Sequence, residues 1–286
     1  ASHAAIPAPI SSPVADLQPT PVSDSVPSAT EPVSESVPVG ESVEKSTHEA
    51  WDLVYAGFPR VIATESVYES LRNKAYAVGY SELRHDPLWV SYRLGHVDKA
   101  EILPRPSRFE SDRRTKNIVY PQDYTKTGFD RGHMAPNSEI AVRYGQEAQE
   151  ETFLMSNIVP QRPNLNRKVW EHLERLEDKY ANAFGRVFVM DGPIFNPNAK
   201  RENLGNSEVE IPDKCYKIIV DAENGTCRML AYMIPEDVIG IESPDEFLTS
   251  VDAIEAATSL DFFPALPSRT QDAIEAQVAT ASWPVY

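Results

Sequence analysis

Gly128-Phe129-Asp130-Arg131-Gly132-His133-Met134-Ala135-Pro136-Asn137 sets an imidazole two residues after a guanidinium, with Gly132 between them and Pro136 closing the run. A second run follows a polar insert: Ser156-Asn157-Ile158-Val159-Pro160-Gln161-Arg162-Pro163-Asn164-Leu165-Asn166, continuing through Trp170 to Leu173-Glu174. An imidazole that titrates near about 6.5 is largely neutral at neutral pH and accepts a proton from water. A lone histidine is more often a packing or surface residue. What singles out His133 is its setting, with a cation close by and an unhindered backbone before it.

Leu165, Val169, Leu173, Leu176 and Tyr180 recur at spacings of 4, 4, 3 and 4, which predicts a helix over 165–180 with Asn164 as its N-cap. Asn166, Trp170 and Glu174 then share a face at i, i+4 and i+8, two turns or roughly 12 Å of axis. Upstream, Phe153 to Ser156 reads as a short buried strand, and 138–152 has helix-compatible composition. Tyr76 to Ser81 and Leu88 to Leu94 have the aromatic and β-branched content of strands, either side of a turn at Arg84 to Pro87. Gly185 to Phe195 reads as a central strand, and Lys214 to Asp221 with Thr226 to Met233 as a hairpin across Asn224-Gly225. Helical segments are expected near 244–258 and 269–278.

Between the first strands and the histidine run lies a loop with five cations in the twelve residues from Arg105 to Lys116. It suits either a solvated loop or one that delivers guanidinium groups to phosphate, whose edge their planar fork matches. No His or Cys cluster stands at zinc spacing. A hard ion such as Mg²⁺ keeps most of its water and needs one or two protein oxygens, which the Asn166 amide can supply. Glu174 lies too far along the helix for the same direct position, but it can hold the ion's waters. Taken singly, Asn166 also suits a helix cap and Glu174 an exposed helix face.

The combination of Asp130-Arg131-Gly132-His133, Ser156-Asn157, Pro160-Gln161, Leu165-Asn166, Trp170 and Leu173-Glu174 resembles the DNA/RNA non-specific endonucleases, the ββα-metal family. The resemblance runs from about residue 76 to 233 and rests on several fixed-spacing matches in order. It implies an α+β fold: a ββα-metal nuclease core with a central antiparallel sheet flanked by helices. It also implies His133 as general base, Asn166 as the direct ligand to Mg²⁺ (with Mn²⁺ as a substitute), and Glu174 as the acid holding the ion's waters. Arg131 falls on the motif's cation close to the phosphate, and Asn157 and Gln161 on supporting polar positions. The family's remote Arg precedes an aromatic by four residues, with an Asp three beyond it; Arg105, Phe109 and Asp112 fit, with Arg108 as a competitor. The implied products carry a 5′-phosphate and a 3′-hydroxyl. The chain departs from the pattern in a longer, more acidic insert after Asn137, and in Asp191, where Thr or Ser is common before Gly-Pro.

The chain has 286 residues with 27 Lys+Arg and 43 Asp+Glu, a balance that looks wrong for a phosphate-binding protein until it is mapped. Residues 1–50 hold 7 acids and 1 base and residues 235–286 hold 10 acids and 1 base, leaving 26 acids against 25 bases between them. A near-neutral body with a basic loop remains compatible with a polyanion. Residues 1–47, rich in Pro, Ser and Val without apolar period, read as a disordered tether, and 48–286 as a single nuclease domain with an acidic helical extension over 235–286. In the hairpin register Cys215 faces position 234 and Cys227 faces 222, so the two thiols are expected to be free. No run of eighteen apolar residues occurs, so no membrane span is expected. The chain opens at Ala1, which fits a processed secretory protein or a shortened one; a secreted or periplasmic location is the expectation.

The leading reading is therefore a Mg²⁺-dependent endonuclease acting on DNA and RNA through backbone phosphate. The lack of a recognisable base-reading module favours low sequence specificity. Two alternatives stand beside it: a nuclease toxin or effector domain delivered on the tether, which expects an inhibitor protein as partner, and a non-catalytic nucleic-acid-binding relative. A homodimer is a further expectation from the family.

Overall fold

The computed structural model describes residues 37–38, 52–223 and 226–285. In chain order its first strands are β1 (Val37–Pro38), β2 (Arg60–Val61), β3 (Glu69–Arg72), β4 (Tyr76–Ser81), β5 (Asp86–Gly95) and β6 (Asp130–His133). Two short helices follow, α1 (Asn137–Tyr144) and α2 (Gln146–Glu151), then β7 (Ile158–Gln161), α3 (Glu171–Phe184) and β8 (Arg186–Ile194). The rest comprises β9 (Lys214–Asp221), β10 (Thr226–Pro235), β11 (Leu248–Thr249), α4 (Val251–Thr258), β12 (Leu260–Asp261) and α5 (Ser268–Ile274).

An antiparallel sheet in the order β1-β10-β9-β8-β5-β4-β3, with β11 also on β10, forms the centre, as the sequence predicts. Side chains alternate across it. Tyr76, Val78, Tyr92, Val189, Ile219 and Leu230 face one side, where they meet Leu165, Val169, Trp170 and Leu173 of the long helix. Trp89, Met190, Ile218 and Ala231 face the other side, where Val251, Ile254, Phe262 and Phe263 of the acidic C-terminal segment cover them. That segment therefore closes the core on this face of the sheet, although its sequence alone suggests no role.

The β9–β10 hairpin has the expected register, Cys215 opposite Ile234, and both cysteines are buried and free. Asn224-Gly225 lie outside the described residues, as does most of the expected tether. Within that tether stretch, Val37 and Pro38 pair with Cys227 and Thr226. Among the described residues no helix is long and apolar enough to cross a membrane.

Three local expectations change. Phe153 to Ser156 forms no strand of its own: Leu154 makes one bridge to Glu110 and the chain then takes a 3-10 turn over Met155–Asn157 before β7. The helix from Leu165 begins as a π-helical turn over Leu165–Trp170 and runs on as α3 to Phe184. Asn164 is itself helical in backbone and makes no capping bond, and the Asn166 N–H that it would cap bonds instead to Arg162 O at 2.9 Å. Single π turns of this kind often sit at functional sites.

Candidate active site

β6 and β7 form a two-stranded hairpin with Asp130 opposite Gln161, Gly132 opposite Val159 and His133 opposite Ile158. The long helix follows directly, so the three pieces make a ββα unit on one face of the main sheet. Gly132 is required by close approach: a Cβ there would stand 2.1 Å from Gln161 Oε1. Gln161 is fully buried, lies over that glycine and donates from Nε2 to Cys215 Sγ at 3.4 Å. Its place is inside the hairpin.

Asn157 is also fully committed within the fold. Its Oδ1 accepts from Ala135 N–H at 2.9 Å, and its Nδ2 donates to Ala135 O at 3.0 Å and Thr152 O at 2.9 Å. Those bonds fix the turn that follows His133. Trp170 acts from the other side, its Nε1 donating to His133 O at 3.2 Å. The backbone of His133 is thus held from both the helix and the 3-10 turn.

The His133 ring is buried between Phe153, 4.9 Å away and edge-on, and Phe109 at 5.3 Å. Its Nε2 has no hydrogen-bond partner among the described residues. Burial, assisted by the Arg105 charge, pushes its pKa down to about 3, so the imidazole is neutral and its lone pair available. Arg105 itself is exposed and lies over the Phe153 ring at 4.9 Å. Arg108 is exposed too, but no contact ties it to the ring cluster.

The basic loop is anchored rather than free. Glu110 N–H bonds to Phe153 O and Met155 N–H to Glu110 O, at 3.0 and 2.8 Å. Asp112 binds Ser156 Oγ at 2.6 Å and the Arg114 guanidinium through both oxygens. Lys116 pairs with Glu69. Of the five cations, Arg105, Arg108 and Arg113 have no ion-pair partner among the described residues. Arg131 turns away from solvent: its Nε donates to Pro121 O at 3.1 Å and its guanidinium lies 5.3 Å from the Phe109 ring centre.

Asn166 has its amide orientation set by chemistry. Nδ2 donates to Asp130 Oδ2 at 3.0 Å, and a carboxylate only accepts, so the amide oxygen must point the other way. That oxygen has no partner among the described residues. Burial alone would raise Asp130, but hydrogen bonds from Arg167 and Asn166 outweigh it and hold its carboxyl below the usual range. Glu174 is partly exposed and has no hydrogen bond among the described residues. Burial and then Glu139 raise it well above an ordinary carboxyl, against the opposing pull of Lys217. Glu139 in α1 is raised as well, first by burial and then by Asp178. An unpartnered carboxamide oxygen, with the acid Glu174 two turns further along the same helix, is a donor set that fits a hard divalent cation and its waters.

Behind Glu174 sits a fully buried ion cluster that sequence reasoning missed. Lys217 Nζ lies 2.7 Å from Asp191, 3.1 Å from Glu177 and 2.9 Å from Tyr92 Oη, and 4.5 Å from the centre of the Trp170 ring. Burial works against the ammonium, but Asp191, Glu177 and Glu174 outweigh it, so Lys217 stays charged. The one signal in the sequence is Asp191, an acid in an otherwise apolar central strand. Asp130 and Glu139 were likewise not singled out, although Asp130 opens the quoted motif. Two cavities of about 660 Å³ each are lined by neither His133, Asn166 nor Glu174.

A ββα unit presenting an imidazole, a carboxamide oxygen and an acid defines a metal-dependent nuclease. The family model for DNA/RNA non-specific endonucleases matches residues 57–269, and the chain belongs to that family as a hydrolytic nuclease. The chain is similar to mitochondrial endonuclease G of Homo sapiens, 28% identical over 212 residues covering 68% of this chain and 70% of the relative. It is also similar to the mitochondrial nuclease EXOG of Danio rerio, 30% identical over 241 residues, 78% of this chain and 68% of the relative. A nuclease from Nostoc is 26% identical over 230 residues, 75% of this chain and 80% of the relative. Among solved structures, the crystal structure of an EndoG/EndoGI complex, described as showing the mechanism of EndoG inhibition, matches with a TM-score of 0.67 and 26% identity. It covers 75% of this chain and 91% of that one.

Proposed function

We propose that the chain is a Mg²⁺-dependent endonuclease, with Mn²⁺ as a substitute, that hydrolyses DNA and RNA to 5′-phosphate and 3′-hydroxyl ends, carried by a single nuclease domain over 48–286. The observation that supports it most is the Asp130–Asn166 bond, which leaves a carboxamide oxygen unpartnered on the same ββα unit as the unpartnered His133 Nε2.

In this reading the His133 imidazole takes a proton from water, whose oxygen attacks phosphorus in line with the 3′ oxygen. The P–O3′ bond breaks, phosphate stays on the 5′ side, and the departing oxygen takes up a proton. Asn166 would hold Mg²⁺ directly and Glu174 would hold its waters, and the ion would supply Lewis-acid charge at the scissile phosphate. Arg105 adds charge from the loop. Substrate phosphate at Arg105 also offsets one of the two causes that depress His133, which makes the imidazole a better base when substrate is present. Asn157, Trp170 and Gln161 act as positioning residues, and Arg131 fixes the hairpin to Pro121.

Cleavage of supercoiled plasmid and of RNA, with EDTA and metal add-back, tests this together with His133→Ala. Loss of about 10²–10⁴ in turnover is expected; an unchanged rate removes His133 from the mechanism, and intact nucleic acid at every metal concentration favours the non-catalytic binder. A protein inhibitor is a proposed partner by analogy with the EndoG/EndoGI complex, and it also suits the toxin or effector reading. A secreted or periplasmic location is proposed from sequence. The mitochondrial relatives suggest an organelle instead, and fractionation of source cells decides.

A further inference from the structure

The C-terminal segment brings three carboxylates to one point. Asp252 and Glu255 lie one turn apart on α4, and Glu275 caps the end of α5; one oxygen from each lies within 4.8 Å of the others. Their geometry is fixed by backbone. Asp252 N–H bonds to Glu275 O at 3.1 Å, tying the two helices end to end, and Phe262 N–H bonds to Glu255 Oε1 at 2.7 Å.

An acidic cluster is ordinarily a solvated surface, and two features separate this one. Glu275 is only 4% exposed, and its Oε1 is buried with no hydrogen-bond partner. Glu275 thus brings a buried, unpartnered oxygen on a carboxyl group that lies close to two others, an arrangement left without compensation, which is costly. The cation that faces the group, Arg60, is already paired with Asp261 at 2.5 Å.

We infer that Asp252, Glu255 and Glu275 form a second divalent-cation site, separate from the ββα unit and suited to Ca²⁺. The donor set argues for Ca²⁺ over Mg²⁺: three protein carboxylates suit an ion that takes many oxygen ligands in a flexible shell, whereas magnesium keeps most of its waters and is held by one or two carboxylates. Asp252 is exposed and Glu255 partly so, which leaves the open side for water to complete the shell. Burial and then Glu255 push Glu275 up to about 8, and burial with Asp261 and Asp252 pushes Glu255 up to about 7, the pattern of acids gathered without a counter-ion. Ca²⁺ here clamps α4 to α5 and with them the cover over Trp89 and Met190 on the outer sheet face.

The test uses the full chain carrying Asn166→Ala, stripped with EDTA and titrated with CaCl₂, read by calorimetry and thermal unfolding. One Ca²⁺ per chain is expected, with Tm rising by roughly 5 °C at a hundredfold excess over Kd. MgCl₂ at the same concentration gives a smaller rise. Adding Glu275→Gln or Asp252→Asn abolishes both the heat and the shift; Asp252→Asn, being on the surface, leaves the fold intact. Absence of any Ca²⁺ response, as expected if the acids share protons instead, overturns the assignment. So does a Glu275→Gln chain that responds like its parent. Neither readout depends on nuclease activity.

Discussion

Asn166 Nδ2 and Asp130 Oδ2 stand 3.0 Å apart, which ties the first turn of the long helix to the strand that carries His133 and turns the amide oxygen outward. Asn166→Ala removes that oxygen, and Asp130→Asn replaces an acceptor-only carboxylate with an amide that can also donate, so the Asn166 amide is no longer held in one orientation. Each is expected to raise the Mn²⁺ concentration for half-maximal cleavage, Asp130→Asn by about 10–100-fold. Direct Mn²⁺ binding by calorimetry checks the same point. An unaltered midpoint for Asp130→Asn means that the amide orientation has no bearing on metal binding.

Arg105 and Arg108 are separable. Arg105 shares the Phe153 ring with His133, so Arg105→Ala should lower kcat by about 10²-fold. Arg108→Ala should act mainly through a shallower salt dependence of KM. Equal effects on kcat would erase the distinction drawn from ring stacking.

Gly132→Ala introduces a Cβ 2.1 Å from Gln161 Oε1 inside a fully buried pair. A loss of about 1–3 kcal/mol in urea unfolding is expected. Gln161→Ala in the same chain should restore part of it, giving a coupling energy of opposite sign in a double-mutant cycle. Additive losses would show that the two side chains do not compete for the space.

His133 gives a signed pH dependence. Its folded pKa is pushed from 6.5 down to about 3, so the unfolded chain binds the extra proton between those values. The stability it contributes is complete above pH 6.5 and falls as pH drops towards about 3. Relative to His133→Gln, the wild type should lose about 2 kcal/mol between pH 7 and pH 5. Parallel stability curves for the two proteins over that range would contradict the buried neutral ring.

Lys217→Met strands Asp191 and Glu177 in the core, and about 3–5 kcal/mol of destabilisation is expected. Adding Asp191→Thr removes one of the stranded charges and should recover part of that loss, measured by thermal unfolding. A single variant as stable as wild type would mean that water or protons already neutralise the cluster.

The sheet was legible because its strands alternate or run apolar: the Cys215–Ile234 register followed from counting across Asn224-Gly225. That His133, Asn166 and Glu174 fall on one ββα unit was legible because its strand and helix patterns lie near one another in sequence. What escaped depends on contacts between distant segments. The π turn at Leu165 arises from tertiary packing against β6, and no periodicity marks it. Asn157 and Gln161 read as site polar groups, and only the structure shows Ala135, Thr152 and Cys215 taking up their hydrogen bonds. The acidic end looked like a solvated tail because Val251, Ile254, Phe262 and Phe263 are spread among charges, and their shared target face appears only once the sheet exists.

Lys217, 2.7 Å from Asp191 across neighbouring strands and 3.1 Å from Glu177, is a position that cannot change alone. A lineage that replaced only the lysine would carry two unneutralised acids through an intermediate too unstable to persist. Relatives that lack the lysine should therefore lack Asp191 or Glu177 as well, whereas a hydroxyl residue in place of Asp191 still leaves Glu177 to pair with the lysine.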